Sequence, residues 1–331
     1  MSNFPSLHQI LTIEDIEYAN RKGFIADPFV LTYDEVDYLF FEVFYRNPRK
    51  KMVGCARRIS DKNWEYIGIA LQRPELEFSY PYLLEHNSDQ YMLPSVDIAG
   101  HGSRPPLKLY RAIDFPLEWT EVTEFEVVGV DPVVFCWNNS WYLIANTDGK
   151  TFIYYSNSLE TGEWLEHPSS PLDDHPGLNR MGGSPVIIDE KLYLMYQDCE
   201  QHYGEKVRCC RVETLTRDNF RQVEIEESPL VTGQYTGGWN HLGMHTVILN
   251  PNRGYAIVDG HDNDGWSIGE ITCDCSSGPR RLTPSPDEFN TIQSLARQRQ
   301  LVKDFIGKAT SYKKEHGTWL LIRRAAEKLI S

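Results

Sequence analysis

Two aspartates, Asp27 and Asp131, each stand directly before a proline at the head of an apolar run: Ala26-Asp27-Pro28-Phe29-Val30-Leu31 and Val130-Asp131-Pro132-Val133-Val134-Phe135. Two carboxylates brought to one site can do acid and base work, one taking a proton from an attacking hydroxyl while the other orients it. An Asp-Pro pair alone commonly does no more than start a turn. Two at one phase of a repeat, where the other copies differ, make Asp27 and Asp131 catalytic candidates. His245 falls at the same phase later in the chain, and Asp198 is a further carboxylate at the end of a later apolar strand.

A repeat positions these residues. Five segments share the pattern, namely the two above, Ser79-Tyr80-Pro81-Tyr82-Leu83-Leu84, Gly183-Ser184-Pro185-Val186-Ile187-Ile188 and Met244-His245-Thr246-Val247-Ile248-Leu249. Their prolines lie 53, 51 and 53 residues apart, and Thr246 follows 61 later. A second apolar strand begins at Tyr38, Tyr91, Tyr142, Tyr193 and Tyr255, at offsets of 10, 10, 10, 8 and 9 residues, which suits a hairpin with a short polar turn. A third alternating strand follows, as in Lys108-Leu109-Tyr110-Arg111-Ala112, and an aromatic marks an outer strand at Trp64, Trp119, Trp164 and Phe220. Four short strands per unit, repeated five times, predict an all-β fold, a five-bladed β-propeller over residues 1–285 with blades starting near 24, 78, 129, 182 and 243.

The inner strands of a propeller converge on its axis, so the residues before the proline position, Asp27, Tyr80, Asp131, Ser184 and His245, should ring one site. Arg180, Gln197, Trp239, His241 and Asp259 lie where loops should approach that face. Aromatic faces that stack on sugar C–H surfaces, with fixed polar groups to orient hydroxyls, suit a glycan. Asp27, Asp131, His245 and Asp198 are thus the catalytic candidates, with Tyr80, Arg180, Gln197, Trp239, His241 and Asp259 as substrate-binding ones. No cofactor is expected; two aspartates and a histidine form a donor set that a divalent metal at the axis could use, which spacing alone does not establish.

Residues 286–331 change to helical periodicity, with Ile292, Leu295, Val302, Phe305, Ile306 and Ala309 on one face, and predict an amphipathic α-helical extension. From Thr291 to Ser331 nine Lys and Arg face three Asp and Glu, so this tail is +6 and the rest of the chain −20 within a net charge of −14. Such helices can pack on the propeller, dimerise or lie on an anionic membrane surface. The acidic propeller excludes a nucleic-acid groove. The seven cysteines include no C-x-x-C pair and read as reduced thiols, and no apolar run is long enough to cross a membrane, which predicts a cytoplasmic protein.

Ala26-Asp27-Pro28-Phe29, Ser79-Tyr80-Pro81, Tyr91-Met92-Leu93-Pro94, Leu109-Tyr110-Arg111-Ala112 with Phe115-Pro116 and Trp119, Gln197-Asp198 with Tyr203-Gly204, and Gly243-Met244-His245 form an ordered set. Over about Gly23 to Asp264 it resembles the N-terminal propeller of the glucosamine inositolphosphorylceramide transferase family and, more distantly, the propellers of glycoside hydrolase families 43 and 32. The hydrolase resemblance implies Asp27 as base or nucleophile, Asp131 as the tuning carboxylate, and a glutamate at the start of blade four as general acid. Asn179-Arg180-Met181-Gly182-Gly183-Ser184-Pro185 has glycine there, and Ser95 stands where the closer family usually has glutamate. Without the acid, a sugar-phosphate donor suits the site better than a neutral glycoside, because phosphate departs without protonation. Glycosyl transfer is therefore the leading expectation, with Asp27 as base and Arg180 and His245 facing the departing charge. The alternatives are a hydrolase with its acid relocated to Asp198 or Glu200, a non-catalytic glycan-binding propeller, since plant members carry a separate transferase domain, and a scaffold recruited for other chemistry.

Overall fold

The computed structural model describes residues 5–16, 22–161, 163–172, 176–233, 238–284 and 288. The chain forms two compact units, Met1–Pro284 and Ser285–Ser331. The helical tail expected over 286–331 lies outside the described residues, apart from Glu288.

The first unit is built of five antiparallel sheets. Strand β1 (Leu7–Leu11) precedes blade one, which is β2 (Gly23–Tyr33), β3 (Val36–Arg46), β4 (Arg49–Ser60) and β5 (Asn63–Leu71). Blade two is β6 (Leu76–His86), β7 (Asp89–Ile98), β8 (Lys108–Asp114) and β9 (Glu118–Glu124). Blade three is β10 (Val130–Trp137), β11 (Ser140–Thr147), β12 (Lys150–Ser156) and β13 (Leu165–Glu166). Blade four splits its inner strand into β14 (Arg180–Met181) and β15 (Val186–Ile188), followed by β16 (Lys191–Asp198), β17 (Lys206–Leu215), β18 (Phe220–Glu224) and the short β19 (Val231–Thr232). Blade five is β20 (Val247–Asn250), β21 (Tyr255–His261) and β22 (Trp266–Thr272), with β1 as its outermost strand.

Four of the inner hairpins close through two-residue turns whose residues are both left-handed: Asp34-Glu35, Asn87-Ser88, Asn138-Asn139 and Asp189-Glu190. This turn matches the right-handed twist of the strands it joins, and Asp and Asn tolerate it best after glycine. The repeat spacing is therefore set by turn chemistry as well as by the apolar pattern. Between blades, Phe29 of blade one packs edge-on against Tyr80 and Tyr82 of blade two at 4.7 and 5.8 Å between ring centres. Burying each such aromatic contributes about 1.5–3 kcal/mol.

The ring closes where β1 pairs with β22, Leu7 opposite Ile271 and His8 opposite Glu270. This use of the N-terminus could not be read from the repeat, because β1 carries none of its markers. Blade one is stapled to blade five by Arg58, which meets Glu270 at 2.8 Å and Asp37 at 3.3 Å, while Trp64 Nε1 donates to Glu270 at 3.1 Å. After β22 the chain crosses to blade four, where Leu282 N–H donates to the Leu230 carbonyl. All seven cysteines are free thiols.

Candidate active site

The inner strands of blades one, two and three each carry a bulge at the expected position, between Ala26 and Phe29, Ser79 and Tyr82, and Val130 and Val133. The bulged residues Asp27, Tyr80 and Asp131 have φ of 52°, 47° and 51°. A left-handed residue in a bulge turns its side chain out of the pleat, which here re-aims three side chains. Each lies seven residues before the first residue of its hairpin turn, Asp34, Asn87 and Asn138.

Blade four departs. Seven residues before Asp189 stands Gly182, so Ser184 is not the equivalent residue; the inner arm between Pro185 and the turn is two residues shorter than its counterparts. A Cβ on Gly182 would lie 2.9 Å from the Gln197 backbone nitrogen, and one on Gly183 only 2.0 Å from the Val247 carbonyl oxygen. Glycine is required because blade five's inner strand presses on this backbone, with Val247 N–H donating to Gly182 O at 2.8 Å. Tyr80 serves the same junction: its hydroxyl accepts from Gly183 N–H at 3.0 Å, and the side chain is wholly buried.

A second ring lies on the second strands, four residues after each marker tyrosine: Glu42, Ser95, Asn146, Gln197 and Asp259, all buried. It holds the first ring in place across blade boundaries. Ser95 Oγ accepts from the Asp131 backbone N–H at 2.8 Å, and Asp259 Oδ2 from the Asp27 backbone N–H at 3.1 Å. Gln197 Nε2 donates to Asp131 Oδ2 at 3.1 Å and to the Met181 carbonyl at 2.9 Å. Asn146 Nδ2 donates to the Asn179 carbonyl at 2.6 Å, fixing the lead-in to Arg180.

The charges sort into pairs. Arg180 places Nε and Nη2 each 2.6 Å from Asp131 Oδ2, and burial notwithstanding, the Asp131 charge keeps its guanidinium firmly protonated. His245 Nδ1 lies 2.6 Å from Asp259 Oδ2, which assigns the proton to Nδ1 and leaves Nε2 facing Asp27 Oδ1 at 3.8 Å. Burial alone would lower the His245 pKa, yet the Asp259 charge and hydrogen bond, helped by Asp27, raise it above its ordinary value. Among the described residues, no cation lies at hydrogen-bonding distance from Asp27. Burial pushes it up to about 8, opposed by His245 and reinforced by Glu42, Asp131 and Asp259.

Asp27, His245 and Asp259 offer ligand atoms all within 4.8 Å of one another. Both Asp259 oxygens are committed, however, Oδ1 to the N–H groups of His245 and Thr246 at 2.9 Å each and Oδ2 to Asp27 N–H and His245 Nδ1. Among the described residues, a cation there would draw on Asp27 and His245 Nε2. That is a poor cage for a divalent metal and a good arrangement for moving a proton.

The structure thus brings together Asp27, Asp131, Arg180, Gln197, His245 and Asp259, with Tyr80 as a buried support. Three candidates make their hydrogen bonds and packing contacts outside this set. Asp198 is buried in blade four against Arg208 at 2.6 Å and Lys206 at 3.4 Å; burial would raise its pKa, but the Glu200 N–H and these cations hold it below the usual range. Trp239 lies over blade five, where Cβ atoms on Gly260 and Gly269 would meet its ring at 2.4 Å. His241 Nδ1 pairs with the Gly238 carbonyl at 2.8 Å in an exposed turn.

Several site residues were not among the candidates put forward from the sequence. Glu42 lies beside Asp27 with Lys51 Nζ 3.1 Å away, Trp266 stacks on His245 at 3.8 Å and 15°, and Tyr203 meets His245 edge-on at 5.6 Å. The constant four-residue step from the tyrosines could have found Glu42; nothing in the local sequence marks Trp266.

Comparison with known proteins follows the same lines. Plant proteins called glucosamine inositolphosphorylceramide transferase 1 align with 75% of this chain in Arabidopsis thaliana, at 31% identity over 264 residues, and with 82% in Oryza sativa subsp. japonica, at 29% over 284. The chain spans 33% and 37% of those relatives' lengths, about a third. Among solved structures, the catalytic domain of a Coprinopsis cinerea GH62 α-L-arabinofuranosidase superposes with a TM-score of 0.61 at 14% identity, covering 81% of this chain and 96% of that one. An exo-β-1,3-galactanase from Phanerochaete chrysosporium gives 0.57 at 14% identity over 77% and 62% of the two chains. At such identities these structures share the fold alone. The family model described as glucosamine inositolphosphorylceramide transferase 1, N-terminal, matches residues 1–261, and the chain belongs to that family.

Proposed function

We propose that the axial site transfers a glycosyl unit from a phosphate-activated donor to an acceptor hydroxyl, with Asp27 as the base. The observation that carries this reading is the glycine pair in blade four, where a Cβ on Gly183 would lie 2.0 Å from a backbone oxygen, which leaves no place for an acid at that position. An alkoxide leaving group needs an acid to protonate it, whereas a phosphate departs as a stable anion. In the proposed step the acceptor oxygen bonds the anomeric carbon as its proton passes to an Asp27 carboxylate oxygen. The bond from that carbon to the phosphate oxygen breaks, and its electron pair leaves with the phosphate. Arg180 and protonated His245 offset the departing charge, and Asp259 fixes the imidazole. The relatives' name as transferases supports the direction.

One observation favours hydrolysis as a second reading. With its pKa near 8, Asp27 carries a proton at neutral pH and could itself be the missing acid. The test is consumption of a UDP-hexose and methyl-glycoside panel by wild type and Asp27→Asn, with and without alcohol acceptors, from below to well above pH 8. Transfer gives product only with acceptor, at a rate that rises as pH passes through about 8, falls again where His245 loses its proton, and is lost in Asp27→Asn. Reducing sugar released without acceptor, at a rate that falls above pH 8, overturns transfer in favour of hydrolysis. Binding that neither protein converts leaves a sugar-binding propeller.

A further inference from the structure

The loop between β16 and β17 places one exposed aromatic at the axis. Tyr203 is 53% exposed, yet its ring meets His245 edge-on at 5.6 Å and Trp266 at 6.4 Å, and the Arg180 guanidinium lies 5.3 Å from its centre. Its phenol also lies within the field of Asp27 and Asp131. Three of the residues it touches or senses therefore belong to the candidate catalytic set. Tyr33, also exposed, packs instead on Phe115, and Trp239 is spent on the glycines of blade five.

The loop is fixed in this pose. Gly204 has φ of 68°, and a Cβ there would lie 2.8 Å from Trp266 Cη2 and 3.1 Å from His245 Cβ. Glycine thus lets the backbone settle onto the His245–Trp266 stack and carries Tyr203 over it. Gly204 N–H donates to Cys199 Sγ at 3.5 Å, and His202 Nε2 pairs with the Leu242 carbonyl of the blade-five lead-in at 2.8 Å.

We propose that Tyr203 is the sugar platform of the axial site. The open part of its ring takes the C–H face of the glycosyl unit, while Arg180 and His245, already packed on the same ring, meet that unit's polar edge. A ring whose exposed face adjoins two fixed polar groups is the combination that orients a sugar, because apolar contact supplies area and the polar groups select a pose. This rests on the axis being a sugar site, and it does not depend on whether the reaction is transfer or hydrolysis.

The test uses the full chain with methyl galactopyranoside, methyl glucopyranoside, methyl arabinofuranoside and UDP-hexoses, read by calorimetry and by saturation transfer from protein to sugar protons. Tyr203→Ala should weaken the best probe about tenfold, while Tyr203→Phe and Tyr203→Trp stay within about threefold of wild type. Tyr203→Phe behaving like Tyr203→Ala overturns the platform, since the hydroxyl and not the ring would then be the contact. Probes that bind wild type and every Tyr203 variant alike but are lost in Asp27→Asn also overturn it, while the axis remains a sugar site. Binding that depends on the Tyr203 ring without turnover upholds the platform and removes the transfer reading. A wild type that binds no probe removes both.

Discussion

The backbone N–H of Asp27 in blade one donates to Oδ2 of Asp259 in blade five at 3.1 Å, across the seam where the propeller closes. The same carboxylate holds His245 and Thr246, so one buried group ties ring closure to the geometry of the candidate base. Asp259→Asn replaces an oxygen by an amide NH₂ that must face N–H donors and leaves the His245 Nδ1–H without its carboxylate partner. The expected cost is about 3–5 kcal/mol in urea unfolding at neutral pH, with Asp27 chemistry lost in the molecules that fold. A variant as stable as wild type would show that the seam is held by β1 and the Arg58 staple alone.

Asp27 and His245 both hold protons more tightly folded than unfolded. For Asp27 the native form binds a proton between the unfolded value of 3.8 and about 8, so its contribution to stability is full below that window and falls as pH rises through it. For His245 the contribution is full below its unfolded value of 6.5 and is lost as pH rises through the higher folded value. Both signs agree: the propeller should lose stability towards alkaline pH. Asp27→Asn removes a buried charge without changing shape, so it should raise stability above pH 8 by on the order of 2 kcal/mol while abolishing turnover. Thermal unfolding of both proteins across this range checks it, and equal pH slopes would count against the buried-charge account.

Five blades were legible because two independent signals repeat together, the proline-headed inner strand and the tyrosine that opens the next strand at a distance set by a two-residue turn. Asp27 and Asp131 were legible for the same reason, each standing at a left-handed bulge that aspartate tolerates. Blade four misled because Pro185 marked the phase while the arm beyond it had shortened by two, which only backbone registration reveals. Trp239 misled because an aromatic near the axis in sequence can lie over a neighbouring sheet wherever glycines open a slot, as Gly260 and Gly269 do. The second ring was present at constant phase, but a buried polar residue near a strand's end looks like the ordinary start of a loop.

Asp198 is fully buried and carries Arg208 and Lys206, which in turn reach Glu224 and Glu205 at 3.1 and 3.3 Å. These contacts place it in an ion-pair network within blade four. Asp198→Asn should cost about 3 kcal/mol because it strands these cations, yet the folded fraction should keep its sugar affinity at the axis. Urea unfolding with ligand titration separates the two effects. A stable variant with abolished turnover would return Asp198 to the catalytic set.

Gly183 bears on the absent acid most directly. If blade four merely lacked a carboxylate, Gly183→Glu would supply one and convert the site to a hydrolase. The geometry argues otherwise: the residue has φ of 153°, its Cβ would sit 2.0 Å from the Val247 carbonyl oxygen, and its N–H donates to the Tyr80 hydroxyl at 3.0 Å. Any side chain must push blade five's inner strand away and strain the backbone. Even Gly183→Ala should therefore destabilise by more than about 3 kcal/mol, and Gly183→Glu should fold poorly and release no reducing sugar. Measured Tm and methyl-glycoside cleavage test this together. A well-folded Gly183→Glu variant that cleaves glycosides would mean that the blade-four backbone yields, and that the loss of the acid, rather than the tight packing of blade five on blade four, sets the chemistry of this propeller.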